Sequence, residues 1–427
     1  MRMGAFAQVM RRYPGARRLW VSETIQAFGS FFFTIALMWY VFSRTGSGLD
    51  TGLVAVTAFI PQVTLGLWFG VLADRYARPR LMMLANGLSG LLAGALALAV
   101  ALHVHAMWPV YGVTTLMGAT SALYDPARAG IFPALIVSDD LLTAHALFHT
   151  SRQVARIVGS SLGGLVVAMV GAAPTMGLDF VTFLTAAALL ARLPLAVPTR
   201  PAEPKAAASR PWHEMAVAWR WLRARPTLLV MSGIGMMSNV ALGPVNVLPP
   251  MLIRDTFHQS AASLGPFDAS IGLGVVAGGL VLGTLVINRM GLAQATALAA
   301  EGLGLLLVAL APSVMVADVG NLVLGIGLVT ANAPGQAMAE TLIPSDLLGR
   351  VSALFGTTAA FAIPITYGGV GIVGDAIGPQ ATYGLAAVLM GTCVVASLVV
   401  PGIRTFRLDE HRAAAPGVSA PVASLPD

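Results

Sequence analysis

Long apolar runs broken by short polar stretches recur along the chain. A membrane-crossing helix needs about 20 consecutive apolar residues. Runs of that order are Trp20–Phe42, Leu53–Ala73, Leu81–Val104, Trp108–Leu123, Leu142–Val170 and Pro174–Leu193 in the first half. The second half repeats them as Thr227–Ile253, Leu264–Ile287, Leu292–Leu310, Val314–Pro334, Val351–Val373 and Ala381–Pro401. The pattern predicts an all-α integral membrane protein with twelve transmembrane helices. Polar segments at Tyr124–Asp140 and Gly335–Arg350 are expected at one membrane face. Between the halves, Pro194–Pro211 is rich in Pro and Ala and reads as a flexible linker. Trp212, Met215, Trp219 and Leu222 then share one helical face, as in a helix lying on the membrane surface or packed on neighbouring loops. The expected organisation is an N-terminal six-helix half (1–193), a linker with an amphipathic helix (194–226), a C-terminal six-helix half (227–403) and a disordered tail (404–427).

Composition supports this reading. The chain has 427 residues, 56% of them hydrophobic and 10% charged, against about 25% charged in soluble domains. Arg11, Arg12, Arg17 and Arg18 precede Trp20–Phe42, a run too long for a cleavable signal, so it is expected to remain as the first span. The single cysteine, Cys393, excludes a disulfide within the chain and a cysteine-built metal site. His103 and His105 lack a carboxylate or thiol at ligand spacing, so no metal and no cofactor is expected. The formal charge of +6 does not gather into a basic patch with interleaved aromatics, so no nucleic-acid partner is expected. Instead the bases set the topology. Arg75, Arg78, Arg80, Arg128, Lys205, Arg289, Arg350 and both tails fall on one side, and the opposite loops carry Arg44 and Arg254. By the excess of bases on the cytoplasmic side, both termini are expected in the cytoplasm.

The halves also repeat in sequence. Leu135-Ile136-Val137-Ser138-Asp139 recurs as Leu342-Ile343-Pro344-Ser345-Asp346, each between the fourth and fifth spans of its half. Two six-span halves related by an axis along the membrane normal surround a central cavity in such architectures.

Ionisable residues inside apolar runs are costly and are functional candidates for that reason. Glu23, one turn into the first span near Gln26, is a candidate for proton coupling; the competing reading pairs it with Arg17 or Arg18. Asp268, after Pro266, is a second candidate, with an ordinary helix-dipole role as its alternative. Glu301, near the middle of the ninth span, is a third; Asp179 in the sixth is also deep. Asp125, Arg128, Arg152 and Arg156 form a charge network around the fourth and fifth spans. Arg152 and Arg156, four apart on one helical face, could hold an anionic group or pair with Asp125 or Asp139. Gln26, Asn239, Asn246 and Asn332 are candidate hydrogen-bonders of a cavity, or interhelical contacts. Gly159, Gly163 and Gly164 allow close helix packing.

The loop Gly70-Val71-Leu72-Ala73-Asp74-Arg75-Tyr76-Ala77-Arg78-Pro79-Arg80 resembles the signature of the major facilitator superfamily. Gly70, Leu72, Asp74, Arg75 and Arg78 match; Ala77 and Pro79 depart from it. Gly159-Ser160-Ser161-Leu162-Gly163-Gly164 is similar to the antiporter motif of exporters in that superfamily, with Ser160 in place of its proline. Asp125-Pro126-Ala127-Arg128, Arg152-Gln153-Val154-Ala155-Arg156, Leu348-Gly349-Arg350-Val351 and Gly374-Asp375 resemble the twelve-span branch that includes macrolide-efflux and enterobactin-export proteins. The resemblance implies alternating access and export of an amphiphilic small molecule (drug, macrolide or siderophore-like) across the inner membrane. It implies protons as the counter-substrate, the bilayer as the surroundings, and no enzymatic activity; the carrier is expected to act as a monomer. It further implies that Asp74, Arg75 and Arg78 form a cytoplasmic gate, with Asp74 contacting the second half in the outward-open state. It implies too that the sixth and ninth spans support the fold without lining the cavity. Alternatives are a lysophospholipid or other lipid transporter, and a non-transporting membrane sensor or scaffold.

Overall fold

The computed structural model describes residues 3–193, 211–284 and 287–407. The expected linker up to Arg210, with Lys205, and the tail beyond Arg407 lie outside the described residues. In chain order the helices are α1 (Met3–Arg12), α2 (Pro14–Thr45), α3 (Gly48–Arg75), α4 (Arg78–Ala101), α5 (Trp108–Leu135), α6 (Ser138–Val170), α7 (Ala172–Leu190) and α8 (Pro211–Arg223). They continue as α9 (Pro226–Ala241), α10 (Gly243–Val247), α11 (Pro249–Met251), a π-helical turn (Leu252–Thr256), α12 (Ala261–Thr284), α13 (Met290–Ala309), α14 (Val314–Leu342), α15 (Ser345–Ile377), α16 (Pro379–Val399) and α17 (Pro401–Arg404).

Among the described residues, eleven helices are long and apolar enough to cross a membrane. The 28-residue α5 is packed among them, but its threonines, Asp125 and Arg128 interrupt its apolar stretch. Several boundaries differ from the sequence expectation. The polar segments Tyr124–Asp140 and Gly335–Arg350 are helical almost throughout: α5 and α14 run on to Leu135 and Leu342, and α6 and α15 restart at Ser138 and Ser345. A helix satisfies its own backbone wherever it goes, so it can leave hydrocarbon without unwinding. The seventh span is broken. Pro244, Pro249 and Pro250 lack amide donors, and the helix is re-started twice after Ala241. The first span starts earlier than expected, at Pro14, and is preceded by α1.

The internal repeat reappears as backbone geometry. Ile136 and Val137 adopt φ/ψ of −133/131 and −69/152; Ile343 and Pro344 adopt −97/123 and −55/142. The turns that follow also match. Gly171 (φ 87, ψ 175) joins α6 to α7, and Gly378 (φ 84, ψ 160) joins α15 to α16. Positive φ at both positions favours glycine.

The N-terminal half packs α2 on α6 and α7, and α4 on α5 and α7; the C-terminal half packs α13 on α14 and α16. The halves meet along α3 with α15 and α6 with α12. Leu91, Met315, Val388 and Val399 are exposed on the outside of the bundle, as lipid-facing residues are. In α8, Ala218 and Leu222 are buried with Leu228, Ile343 and Val351, so this helix packs on its neighbours, while Trp219 is exposed. The side chains of Trp212 and Met215 lie outside the described residues. On the same face, α1 buries Val9 and Met10, and Arg12 and Tyr13 bond to Asp140 at 3.2 and 2.9 Å.

Candidate functional site

The halves are clamped at the face opposite the termini. There Asp375, at the end of α15, caps the N-terminus of α3. The Gly48 and Leu49 amides donate to its carboxylate at 2.5 and 3.0 Å, and Ser47 Oγ donates at 3.0 Å. A carboxylate at a helix N-terminus meets unpaired amides and the positive end of the dipole. Below it the helices touch through small residues. A Cβ on Gly371 would stand 2.5 Å from the Gly48 carbonyl oxygen. Phe59 and Tyr367 meet edge to face at 6.2 Å.

The second contact is α6 against α12. Arg156 Nη2 donates to Asp268 Oδ1 at 2.8 Å and Arg156 Nε to Oδ2 at 3.4 Å. Ser160 Oγ donates to Asp268 Oδ2 at 2.6 Å. Asp268 therefore bridges the halves from inside α12, beyond its first turn, and is not a first-turn helix acid. Ser160 stands where the resembling motif has proline, and its hydroxyl is what makes the bond. The glycines around it divide their work. A Cβ on Gly159 or Gly163 would meet Phe31 and Phe32 of α2 at 3.1 and 3.3 Å, and one on Gly164 would come 2.6 Å from the Ala261 oxygen of α12.

Arg254 also crosses between the halves, donating to the Phe42 carbonyl at 3.2 Å, whereas Glu23 is paired within one half. Glu23 accepts two bonds from Arg128, Nε to Oε1 at 2.6 Å and Nη2 to Oε2 at 2.7 Å. This bidentate geometry is the strong form of an ion pair. The partner is on α5, not Arg17 or Arg18; Arg18 donates to the Arg192 carbonyl. Arg152 and Asp125 add their fields to the Glu23 carboxylate. The expected network thus splits: Asp125, Arg128 and Arg152 surround Glu23, and Arg156 goes to Asp268; the side chain of Asp139 lies outside the described residues.

At the termini face, among the described residues, the signature loop bonds within its own half. Asp74 is 63% exposed and pairs at 3.6 Å with Arg78 of its own loop. Arg78 also donates to the Gly130 carbonyl at 2.6 Å. Arg75 is exposed, and a Cβ on Gly70 would meet open space.

Glu301 on α13 is 2% exposed and accepts from Ser238 Oγ at 3.2 Å. It lines a cavity of about 750 Å³ in the C-terminal half together with Asn239, Gln294 and Asn332. The ninth span thus lines a cavity of the C-terminal half. Gln26 and Asn246 lie outside that cavity. Asn239, Asn246 and Asn332 each donate to a carbonyl one turn earlier in the chain, so these bonds are local and not interhelical. Among the described residues no group of His, Cys, Asp and Glu could hold a metal ion. Sequence reasoning named Asp375 only as part of a motif; its position at the end of a span, facing an N-terminal turn, was the available signal.

The family model described as transmembrane secretion effector matches residues 6–423. The enterobactin exporter EntS of Salmonella typhimurium (strain LT2) is 28% identical over 420 residues, spanning 93% of this chain and 95% of that one. EntS of Escherichia coli O1:K1 is 26% identical over 405 residues, with coverage of 93% and 95%. Among solved structures, the nucleoside transporter NupG superposes with a TM-score of 0.69 at 14% identity, covering 90% of this chain and 98% of that one. A bacterial homologue of the iron transporter ferroportin, in its inward-facing state, superposes with a TM-score of 0.67 at 14% identity, covering 90% and 98%. This chain is a multi-pass membrane transporter that belongs to the transmembrane secretion effector family of the major facilitator superfamily.

Proposed function

We propose that the protein exports an amphiphilic, siderophore-like or drug-like small molecule across the bacterial inner membrane by alternating access, in exchange for protons. The observation that carries the reading is the asymmetry of the interface between halves. They are clamped by Asp375 and Asp268 at one face, while at the other Asp74 is exposed and, among the described residues, pairs with Arg78 of its own loop. With the termini in the cytoplasm, as the distribution of bases supports, this is the inward-open state. Asp74 reaches the second half only after the inner face closes. The relatedness to enterobactin exporters supports the outward direction and a substrate of that size.

Asp268 is the best-placed coupling acid of the three candidates, because it alone bridges the halves. In the outward-open state its carboxyl is separated from Arg156 and open to the outer medium, where it takes up a proton. Closing the outer face returns the guanidinium, whose attraction for the carboxylate competes with the proton and sends it towards the open inner side. Glu23 is held by Arg128 within one half, and Glu301 sits in a cavity of the other.

The test is transport in proteoliposomes with an imposed proton gradient, following lipophilic cations, a macrolide and a catechol siderophore. Gradient-driven movement of one of them, lost in Asp268→Asn, is the expected result. Transport that persists in Asp268→Asn with unchanged gradient dependence removes Asp268 from the coupling step. No movement of any member of the panel argues against small-molecule export.

A further inference from the structure

The cavity around Glu301 is lined by helices of the C-terminal half, α15 among them, and by α8, with no residue of the N-terminal half in its wall. Its volume, about 750 Å³, lies in the range of small-molecule sites. Most of its wall is apolar, with Leu228, Met231, Met236 and Phe355 among the residues, and Trp219 of α8 at its rim.

Its polar wall is one-sided. Glu301 lies midway along α13, about 16 Å along the axis from its start and near mid-membrane. Among the described residues no ion pair reaches it, and no basic side chain lines the cavity. Gln294, two turns earlier on the same helix, is buried, and its Oε1 has no donor. Asn239 and Asn332 each commit one amide N–H to the Gly235 and Leu328 carbonyls at 2.8 and 2.7 Å, and their Oδ1 acceptors are open to a ligand. The cavity therefore presents a carboxylate, several acceptors and neutral amides, and among the described residues no positive group. A carboxylate at this depth without a counter-charge is costly, as is a buried acceptor without a donor. One kind of ligand relieves both: a positive charge bearing N–H donors on an apolar body.

We propose that this cavity is a binding site for an amphiphilic organic cation, a protonated amine on a bulky aromatic or alicyclic frame. The N–H donors lie against Glu301 and Gln294, and the frame lies against Met231, Met236, Phe355 and Trp219. Rings and thioethers suit such a frame, and a Trp face attracts the charge itself. The site deepens the export reading by assigning its substrate a charge, and rests on that reading for the direction of movement but not for binding.

The experiment is equilibrium binding to the full chain in lipid nanodiscs, with empty nanodiscs subtracted. The probes are two xanthene dyes of similar size and opposite charge, rhodamine 6G and fluorescein, read by fluorescence anisotropy. The expected result is saturable binding of rhodamine 6G, little binding of fluorescein, a loss of at least tenfold in affinity in Glu301→Gln, and a loss of about threefold in Gln294→Leu. Folding of each variant is checked by gel filtration in the same discs. If Glu301→Gln does not fold, Gln294→Leu decides alone. Equal binding of both dyes, no saturable binding of rhodamine 6G, or unchanged affinity in every folded variant overturns the site. Binding that depends on Glu301 without any gradient-driven transport overturns the export reading and leaves the site standing.

Discussion

Arg156 and Asp268 come from opposite halves of the chain and meet at 2.8 Å, with Ser160 Oγ completing the carboxylate's shell at 2.6 Å. Both charged side chains are largely buried, 29% and 25% exposed. Removing one partner of such a pair leaves a charge uncompensated and costs up to about 3–5 kcal/mol, less at this residual exposure. Arg156→Ala is therefore expected to open the clamped face. Spin labels at Ser43, exposed in the last turn of α2, and His258, exposed in the loop before α12, report the opening as a longer distance by double electron–electron resonance.

Ser160 makes a milder test of the same contact. Ser160→Ala keeps the helix and the ion pair but removes one hydrogen bond to a charged group, worth about 1.5–3 kcal/mol. The same label pair is expected to show a partial shift towards the long distance, smaller than in Arg156→Ala. No shift would mean that the hydroxyl is spectator to the clamp.

Close approach gives an independent prediction. A side chain at Gly164 places its Cβ 2.6 Å from the Ala261 carbonyl oxygen, inside van der Waals contact with backbone that cannot rotate away. Gly164→Val is expected to prevent closure and abolish transport while leaving insertion intact. Gly66→Ala, with open space around its Cβ, is the control and is expected to insert and to close normally in the spin-label assay.

The Glu23–Arg128 pair is predicted to be structural. Arg128→Ala leaves the part-buried Glu23 carboxylate without its two short bonds and is expected to destabilise the protein by about 3 kcal/mol. The readout is a lower midpoint of thermal inactivation in detergent. The double variant Glu23→Gln with Arg128→Gln is expected to recover much of that loss. Stability of Arg128→Ala equal to wild type would show that another base holds Glu23.

Asp74 is predicted to matter only when the inner face shuts. At 63% exposure its pair with Arg78 is worth little in the state described. Asp74→Asn is expected to leave thermal stability in detergent unchanged within measurement error while lowering transport. A large drop in stability would place the role of Asp74 in the inward-open state instead.

Much of the fold was legible because the bilayer admits few solutions. Apolar runs of one length marked the helices. Pro244, Pro249 and Pro250 were visible signs of a broken seventh span, but run length alone overrode them. Pairings were harder. Arg156 had acids near it in sequence, Asp125 and Asp139, yet its partner is 112 residues away. Proximity along the chain says little about which helices touch. Ser160 was read as a departure from a motif, because its worth lies in a carboxylate on another helix. Glu301 was recognised by its depth, but the cavity beside it is made of residues from α9, α14 and α15, and no single stretch announces it.

The Asp375 contact carries a consequence of a different kind. Its partners on α3 are two backbone amides, and a backbone amide is supplied by every amino acid except proline. Apart from the Ser47 hydroxyl, this fastening therefore reads the shape of a helix start and not the identity of its residues. Leu49 can be exchanged freely for other residues, whereas proline there removes a donor. Gly48 is less free: a Cβ on it would stand 3.0 Å from both Asp375 Oδ1 and the Gly371 oxygen. Mutational drift in that turn is thus tolerated by one half of the outer fastening, and the side-chain half at Arg156 and Asp268 is where a single substitution can tune how readily the carrier turns over.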